Sequence, residues 1–177
     1  MSPFPILSTN RLLLRKFTDN DLHNIFYGLS HPDVIQYYGV SYDSLEASRN
    51  QLTFFHDLEK NGTGIWWAIC DKDNKLFYGA CGLNNLEKEH KKAELGFWIL
   101  PEYWRKGIIT EAVPLVCEYG FNVLSLHRIE AIIETENQNS LAVMHKLQFT
   151  HEGTMRECEI KNDKFINLAI YSKLSNR

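Results

Sequence analysis

The sequence has little of what marks a membrane-spanning or secreted protein. Its longest apolar run, GIWWAIC at residues 64–70, is far shorter than the roughly 20 residues that cross a bilayer. The first residues, MSPFPIL, contain neither the basic region nor the long apolar stretch of a secretory signal. These features argue against a helical membrane protein, and we expect the protein to stay in the cytoplasm.

Cysteine is used sparingly, and its four positions are far apart, with no Cys-x-x-Cys motif. That spacing argues against a zinc knuckle and against a thioredoxin-like site. No histidines or cysteines with ligand spacing and no carboxylate cluster are visible, so we expect no bound metal. We predict four buried, reduced thiols: Cys70, Cys81, Cys117 and Cys158.

The sequence also has little excess of charge of either sign, because the formal net charge is only −3. No Lys/Arg cluster is interleaved with aromatic residues, so the sequence gives no support for nucleic-acid binding. The dinucleotide motif Gly-x-Gly-x-x-Gly and the P-loop motif Gly-x-x-x-x-Gly-Lys-Ser/Thr are absent as well. An anionic ligand would therefore have to be held by a local site.

The 177 residues contain no repeat and no Pro/Gly/Ser-rich linker, so we expect a single domain over residues 1–177. The hydrophobic pattern alternates between strand and helix periods, which predicts an α/β protein, an α+β mixed sheet with flanking helices. Predicted strands cover residues 10–17, three antiparallel segments within 64–100, 127–135, 150–158 and 164–174. Predicted helices begin at residue 18, near 32 and at 43 or 44, and cover 107–119, with a kink at Pro114, and 140–147.

The most informative segment is PEYWRKGIITEA, residues 101–112, where a strand ends in a basic turn that opens a helix. Backbone N–H groups at a helix N-terminus lack partners and carry partial positive charge, so they attract anions. Gly107 lets the chain approach a pyrophosphate closely, and Arg105 and Lys106 add charge. By itself this pattern is typical of a helix cap flanked by solvated charges, so its meaning depends on the rest of the chain.

Five ordered segments together resemble the GNAT superfamily of N-acetyltransferases, and within it the ribosomal-protein N-terminal acetyltransferase (RimJ/RimL-like) branch. The segments are STNRLLLR (8–15), AELGFWILPEYW (93–104), RKGIITEA (105–112), ENQNS (136–140) followed by KLQF (146–149), and EGTMR (152–156). The resemblance covers nearly the whole chain. Three residues depart from the family pattern: Ile109 replaces glycine or alanine, Gln148 replaces glycine, and Asn167 stands where aspartate is common.

The resemblance implies a GNAT-like fold, with a mainly antiparallel central sheet, one splayed parallel strand pair and helices on both faces. It implies acetyl-CoA as co-substrate, with the pantetheine arm in the gap between the splayed strands and the pyrophosphate on the amides of the basic turn. A homodimer is a further expectation carried by the family. The matching cofactor-binding residues are Phe97, Trp98, Ile99, Leu100, Arg105, Lys106, Gly107, Ile108, Ile109, Thr110 and Asn137.

The same resemblance suggests two catalytic residues. Ser140 matches a serine implicated in protonating the departing coenzyme A thiolate, although a serine there is equally suited to capping the helix that follows. Glu159 matches a glutamate thought to act as the base through water, with Glu94 or Tyr171 as alternatives. Asn137 would bind the pantetheine arm, or would serve only as a turn residue.

The reaction implied is direct attack of a neutral amine on a thioester. An α-amino group titrates near 7.7–8.0 and a lysine near 10.4, so an N-terminal amine needs only a modest base. The leading hypothesis is an enzyme that acetylates a protein or peptide N-terminus. The alternatives are acetylation of a polyamine or an aminoglycoside, and a non-catalytic acyl-CoA-binding protein. The aromatic residues Trp66, Trp67, Phe97 and Trp98 are expected in the core, although an aromatic near the strand opening would line the acceptor pocket.

Overall fold

The computed structural model describes residues 3–175. The strands are β1 (Leu7–Ser8), β2 (Leu12–Arg15), β3 (Ile65–Asp71), β4 (Phe77–Glu87), β5 (Lys92–Ile99), β6 (Arg128–Glu134), β7 (Thr150–Lys161) and β8 (Lys164–Leu174). The helices are α1 (Leu22–Ser30), α2 (Pro32–Ile35), α3 (Arg49–Asn61), α4 (Ile108–Asn122) and α5 (Gln138–Lys146). Short 3-10 turns cover Asp19–Asp21 and Pro101–Tyr103.

All eight strands form one sheet in the order β1-β2-β3-β4-β5-β6-β8-β7. Within the described range, β5 and β6 are the parallel pair and every other pairing is antiparallel. The parallel pair is joined by α4, as a crossover connection requires. The predicted mixed sheet with one parallel pair is confirmed.

Both faces of the sheet are covered, which explains why β3 is apolar from Ile65 to Cys70. Successive side chains of a strand point to opposite faces, so Trp67 packs with α4 and α5 while Trp66 packs with α1, α2 and α3. Trp67 and Trp66 are 0% and 3% exposed, respectively. The predictions of helices on both faces and of Trp66 and Trp67 in the core are therefore confirmed.

Local signals set several of the helix boundaries. A reciprocal capping box between Thr18 and Asp21 precedes α1, and Gly62, in the left-handed conformation with φ 66°, ends α3. The predicted start of α3 at residue 43 or 44 is wrong, because residues 44–48 form a turn in which Ser48 N donates to Ser44 O. The helix begins at Arg49.

Two further expectations concern the kink at Pro114 and the burial of the four cysteines. Helix α4 continues through Pro114, and the predicted kink stays a prediction. Cys70, Cys81 and Cys117 are buried and free, as expected, but Cys158 is exposed, because strand β7 lies at the edge of the sheet with most of its side chains in solvent. Among residues 3–175, no helix has the length and apolar character needed to cross a membrane.

Candidate active site

The parallel strands separate soon after they begin. Their register runs only from Lys92–Arg128 to Glu94–Glu130, and the remaining residues of β5 and β6 are not paired with each other. A cavity of about 630 Å³ lies where they diverge, and its walls come from α2 and the residues after it, the second half of β5, the start of α4, and α5. We call it the central cavity.

The second half of β5 presents free backbone groups to this gap. Leu100 N donates to Tyr78 O across the β4 side, and backbone bonds alternate along an antiparallel pair. The backbone groups of Phe97 and Ile99 therefore point to the opposite edge, where β6 has moved away. One of them is used within the protein, since Trp104 Nε1 donates to Ile99 O at 2.7 Å.

The basic turn (residues 105–107) leads into α4 with two left-handed residues, Arg105 at φ 61° and Gly107 at φ 76°. Gly107 is the N-cap, and no side chain caps the first turn of α4, so its amides keep their donor capacity. The side chain of Ile109 is 9% exposed and packs in the core with that of Ile108. The bulk of Ile109, a departure from the family pattern, is therefore accommodated in the core between α4 and the sheet.

A cluster on the outer side anchors this first turn. Glu111 accepts hydrogen bonds from Thr9 and from Arg11, so the loop between β1 and β2 is tied to α4. Burial by itself would raise the pKa of Glu111, but the hydrogen bonds from Arg11 and Thr9 outweigh it and lower the pKa below the ordinary value. Glu111 is thus held ionised beside the helix N-terminus, where the helix dipole favours negative charge.

Helix α5 supplies the opposite wall. Its N-cap is Asn137, whose Oδ1 accepts a hydrogen bond from Ser140 N at 3.1 Å. The alternative interpretation of Ser140 as the helix cap is therefore wrong, because Ser140 lies in the first turn rather than at its start. Both side chains line the central cavity, and the Ser140 hydroxyl makes no hydrogen bond with another residue of the described chain.

The central cavity brings together most of the residues proposed from the sequence: Phe97, Trp98, Ile99, Arg105, Gly107, Ile108, Ile109, Thr110, Asn137 and Ser140. Three others lie elsewhere. Leu100 is buried in the core beside α1–α3, Lys106 places its Nζ 5.2 Å from the Tyr103 ring centroid, and Glu159 is exposed on β7.

Neither alternative base lies in the cavity wall. The carboxylate of Glu94 accepts a hydrogen bond from Asn85 Nδ2 at 2.9 Å. Tyr171 is 4% exposed, and its hydroxyl is 3.3 Å from His145 Nε2. The structure therefore gives neither residue a direct path to a substrate in the central cavity.

Sequence reasoning missed the wall formed by α2 and the residues after it, which contributes Asp33, Val34, Gln36, Tyr37 and Tyr38. This wall is held by Lys161 at the tip of the β7–β8 hairpin, whose Nζ donates to Gln36 O and to Glu134 and lies 5.7 Å from the Tyr37 ring centroid. The adjacent pair Tyr37-Tyr38 is the sequence feature that could have indicated this wall. No short-range pattern, however, links the pair to β5.

The ionisable groups of the central cavity are few. Its walls include the cationic side chains Arg105 and Lys146, one carboxylate, Asp33, and no histidine among the residues that the structure describes. The Asp33 side chain is 66% exposed. An anion and an uncharged arm suit the β5, α4 and α5 walls, while the α2 wall offers aromatic and polar groups.

The family model described as acetyltransferase (GNAT) domain matches residues 11–150. The chain is 37% identical to the uncharacterized N-acetyltransferase YoaA of Bacillus subtilis (strain 168), over 98% of this chain and 99% of that protein. It is 36% identical to the spermidine N(1)-acetyltransferase of Escherichia coli (strain K12), over 67% and 75%. A crystal structure of a GNAT-family acetyltransferase from Bacillus anthracis superposes with a TM-score of 0.83 at 26% identity, covering 96% of this chain and 98% of that one.

Proposed function

This chain belongs to the acetyltransferase (GNAT) family, and we propose that its acceptor is the α-amine at the N-terminus of a protein or peptide. Family membership makes it an acetyl-CoA-dependent N-acetyltransferase. We propose which amine it acetylates and which role each side chain plays.

We assign the cofactor to the β5, α4 and α5 walls. The pyrophosphate would be held by the uncapped amides at the start of α4, with Arg105 beside them. The pantetheine arm would bond to the free backbone groups of Phe97 and to the N–H of Ile99, as an added strand does, since the Ile99 carbonyl already accepts from Trp104. When bound, acetyl-CoA supplies the activated acetyl group.

The reaction needs a neutral amine and a proton for the leaving sulfur. The amine nitrogen forms a C–N bond with the thioester carbon, the C–S bond breaks, and the nitrogen loses a proton while the thiolate gains one. Ser140 is our candidate for the proton donor to the thiolate, because it is one of the residues that line the central cavity and its hydroxyl has no hydrogen-bond partner among the described residues. Glu159 remains a candidate base only through intervening water.

The central cavity has few carboxylates, and this observation supports an α-amine rather than a polyamine as the acceptor. A polyamine at neutral pH bears several positive charges, which need negative partners when they enter a cleft. Asp33 is the one carboxylate among the described lining residues, and it is largely exposed. Glu134, at the end of β6, is already engaged by Lys161. An α-amine carries one charge at most and is half neutral near pH 8.

The similarity to the spermidine N(1)-acetyltransferase favours a polyamine as the acceptor instead. A panel of acceptor amines decides between a polyamine and an α-amine. Thiol release from acetyl-CoA should be at least tenfold faster with a peptide bearing a free N-terminus than with spermidine or an aminoglycoside. The rate with the peptide should rise with pH and level off above about 8, as the α-amine loses its proton.

A peptide with a blocked N-terminus and one lysine serves as the control and should react slowly, because its amine titrates near 10.4. Faster turnover of spermidine than of the peptide would overturn the proposal. Binding of acetyl-CoA by calorimetry without thiol release on any amine would indicate a non-catalytic acyl-CoA-binding protein.

A further inference from the structure

The four tryptophans differ in one respect. Three of them donate the indole N–H to a protein oxygen: Trp66 to Asn84, Trp67 to Pro5 and Trp104 to Ile99. Trp98 does not, and its Nε1 is the buried side-chain nitrogen that finds no partner among the described residues. Trp98 is only 4% exposed, and it lines the central cavity.

The indole ring of Trp98 packs tightly against α1. Its Cε3, Cζ3 and Cη2 edge packs against Gly28 of α1 so closely that a Cβ at Gly28 would lie 2.3 Å from Cζ3. Nε1 is on the other edge of an indole, so it points away from α1. The side chain lies on the sheet face covered by α1–α3, together with Val34 of the α2 wall.

A buried N–H without a partner destabilises the protein, because the group has lost its hydrogen bond to water and gained none. Donors of this kind in native proteins call for an explanation, and a ligand that accepts the bond is one. The cofactor does not provide the simplest partner. Our assignment puts its phosphates at the start of α4, whose residues pack on the opposite face of the sheet from Trp98. It puts the pantetheine arm in the plane of the sheet, bonded to the backbone of Phe97 and Ile99, whereas the Trp98 side chain lies on the α1–α3 face. The acceptor substrate would enter on the α2 side, and side chains around Trp98 would have to move for an acceptor oxygen to reach Nε1, which is fully buried.

We propose that Trp98 Nε1 donates a hydrogen bond to the carbonyl oxygen next to the reacting amine, which makes Trp98 a specificity-determining residue for the acceptor. This inference rests on the proposed function and deepens it. In a peptide N-terminus, the first carbonyl carbon is bonded to the same Cα as the amine. A polyammonium ion has donors but no acceptor atom, so it leaves the Trp98 N–H unsatisfied.

The test compares two peptides that differ in one atom of the first residue, a carbonyl oxygen or a thiocarbonyl sulfur, which is the weaker acceptor. Wild-type protein should lose about tenfold in kcat/KM on exchange of oxygen for sulfur. In the Trp98→Phe variant, kcat/KM for the oxygen peptide should already be about tenfold lower than in the wild type. Replacing oxygen by sulfur should then have no further effect, because both changes remove the same hydrogen bond. The KM for acetyl-CoA should not change.

Trp66→Phe is the matched control, because Trp66 is equally buried on the same face but does not line the central cavity. In that variant the oxygen-to-sulfur effect should keep its wild-type size. If Trp98→Phe keeps the full effect as well, the inference is wrong. If the wild type acetylates no peptide, the proposed function has failed and the role of Trp98 falls with it.

A second readout needs no turnover and no Trp98 variant. Each of the other three indole N–H signals in a ¹⁵N spectrum can be assigned by its own Trp→Phe substitution, which leaves Trp98 by elimination. With coenzyme A present, the oxygen peptide should move the Trp98 signal downfield, as hydrogen-bond formation does, and the sulfur peptide should move it less. A Trp98 signal that ignores a saturating oxygen peptide would overturn the inference.

Discussion

The two ends of the β5–β6 pair differ sharply. At the paired end, Arg128 bonds to Glu130 at 2.8 Å and to Glu152 at 2.7 Å, and Lys92 lies 3.8 Å from Glu130. At the open end, beyond Glu94 and Glu130, the strands diverge around the central cavity. One end is closed by side-chain charges, and the other leaves backbone groups available.

The difference shows how a sheet accommodates a binding site without losing its order. Parallel strands are joined by backbone bonds that a ligand can replace only where the strands separate. The ionic cluster lies at the paired end, and β4 and β8 hold the outer edges of the two strands. Changes at the open end should therefore affect catalysis, and changes at the paired end should affect stability.

The largest expected effect concerns Ser140 at the open end. Replacement of Ser140 by alanine should lower kcat by about 10²-fold, the size of a lost general acid, with little change in either KM. Because Asn137 caps α5, the melting temperature should stay within about 1 °C of wild type. Steady-state kinetics and thermal unfolding measure the two quantities.

Ser140→Thr is the matched variant, since it restores a hydroxyl and should recover part of the rate. Near-normal turnover of the alanine variant would remove Ser140 from the mechanism. A fall in the melting temperature that matches the loss of rate would assign it a structural role instead.

The next effect concerns Gly107 in the basic turn. Valine disfavours the φ of 76° found there, and the strain costs on the order of 1–3 kcal/mol. Gly107→Val should raise the KM for acetyl-CoA about tenfold, because the turn and its amides shift, and should leave the KM for the acceptor nearly unchanged. Gly107→Asn is the control, since asparagine tolerates a left-handed backbone. Equal changes in both KM values would place the pyrophosphate elsewhere.

The smallest effect belongs to the paired end. The Arg128 guanidinium and the Ser172 hydroxyl lower the pKa of Glu152 to about 2. A carboxylate with a lowered pKa stabilises the fold above its unfolded pKa, near 4.3, and loses that contribution as the pH falls towards 2. Glu152→Gln should therefore lower the melting temperature by about 2 °C at pH 7 and by less at pH 3.

Glu157→Gln on the same strand is the control, because Glu157 forms no ion pair with the residues that the structure describes. It should leave the melting temperature unchanged at both pH values. Kinetic constants of Glu152→Gln at pH 7 should match those of the wild type. A large loss of kcat would show that the two ends of the strand pair are coupled.

Sequence reasoning was strongest where signals are local. The order of the elements and the basic turn follow from hydrophobic periods, glycine positions and motif spacing, and the family resemblance implied the parallel pair. It was weakest at the ends of helices and strands and at the α2 wall of the central cavity. The start of α3, the cap of α5 and the exposure of Cys158 all depended on which neighbours the chain finds after folding.

By itself, the sequence determined the fold class and the positions of Gly107, Asn137 and Ser140 along it, because short-range patterns encode strands, helices and turns. Only the tertiary structure decided what surrounds them. The α2 wall is held through Lys161 and Gln36, which are 125 positions apart. The Trp98 ring packs against Gly28 of α1, and its buried N–H has no partner among the described residues. Contacts between distant segments have no local signature, so packing alone places them.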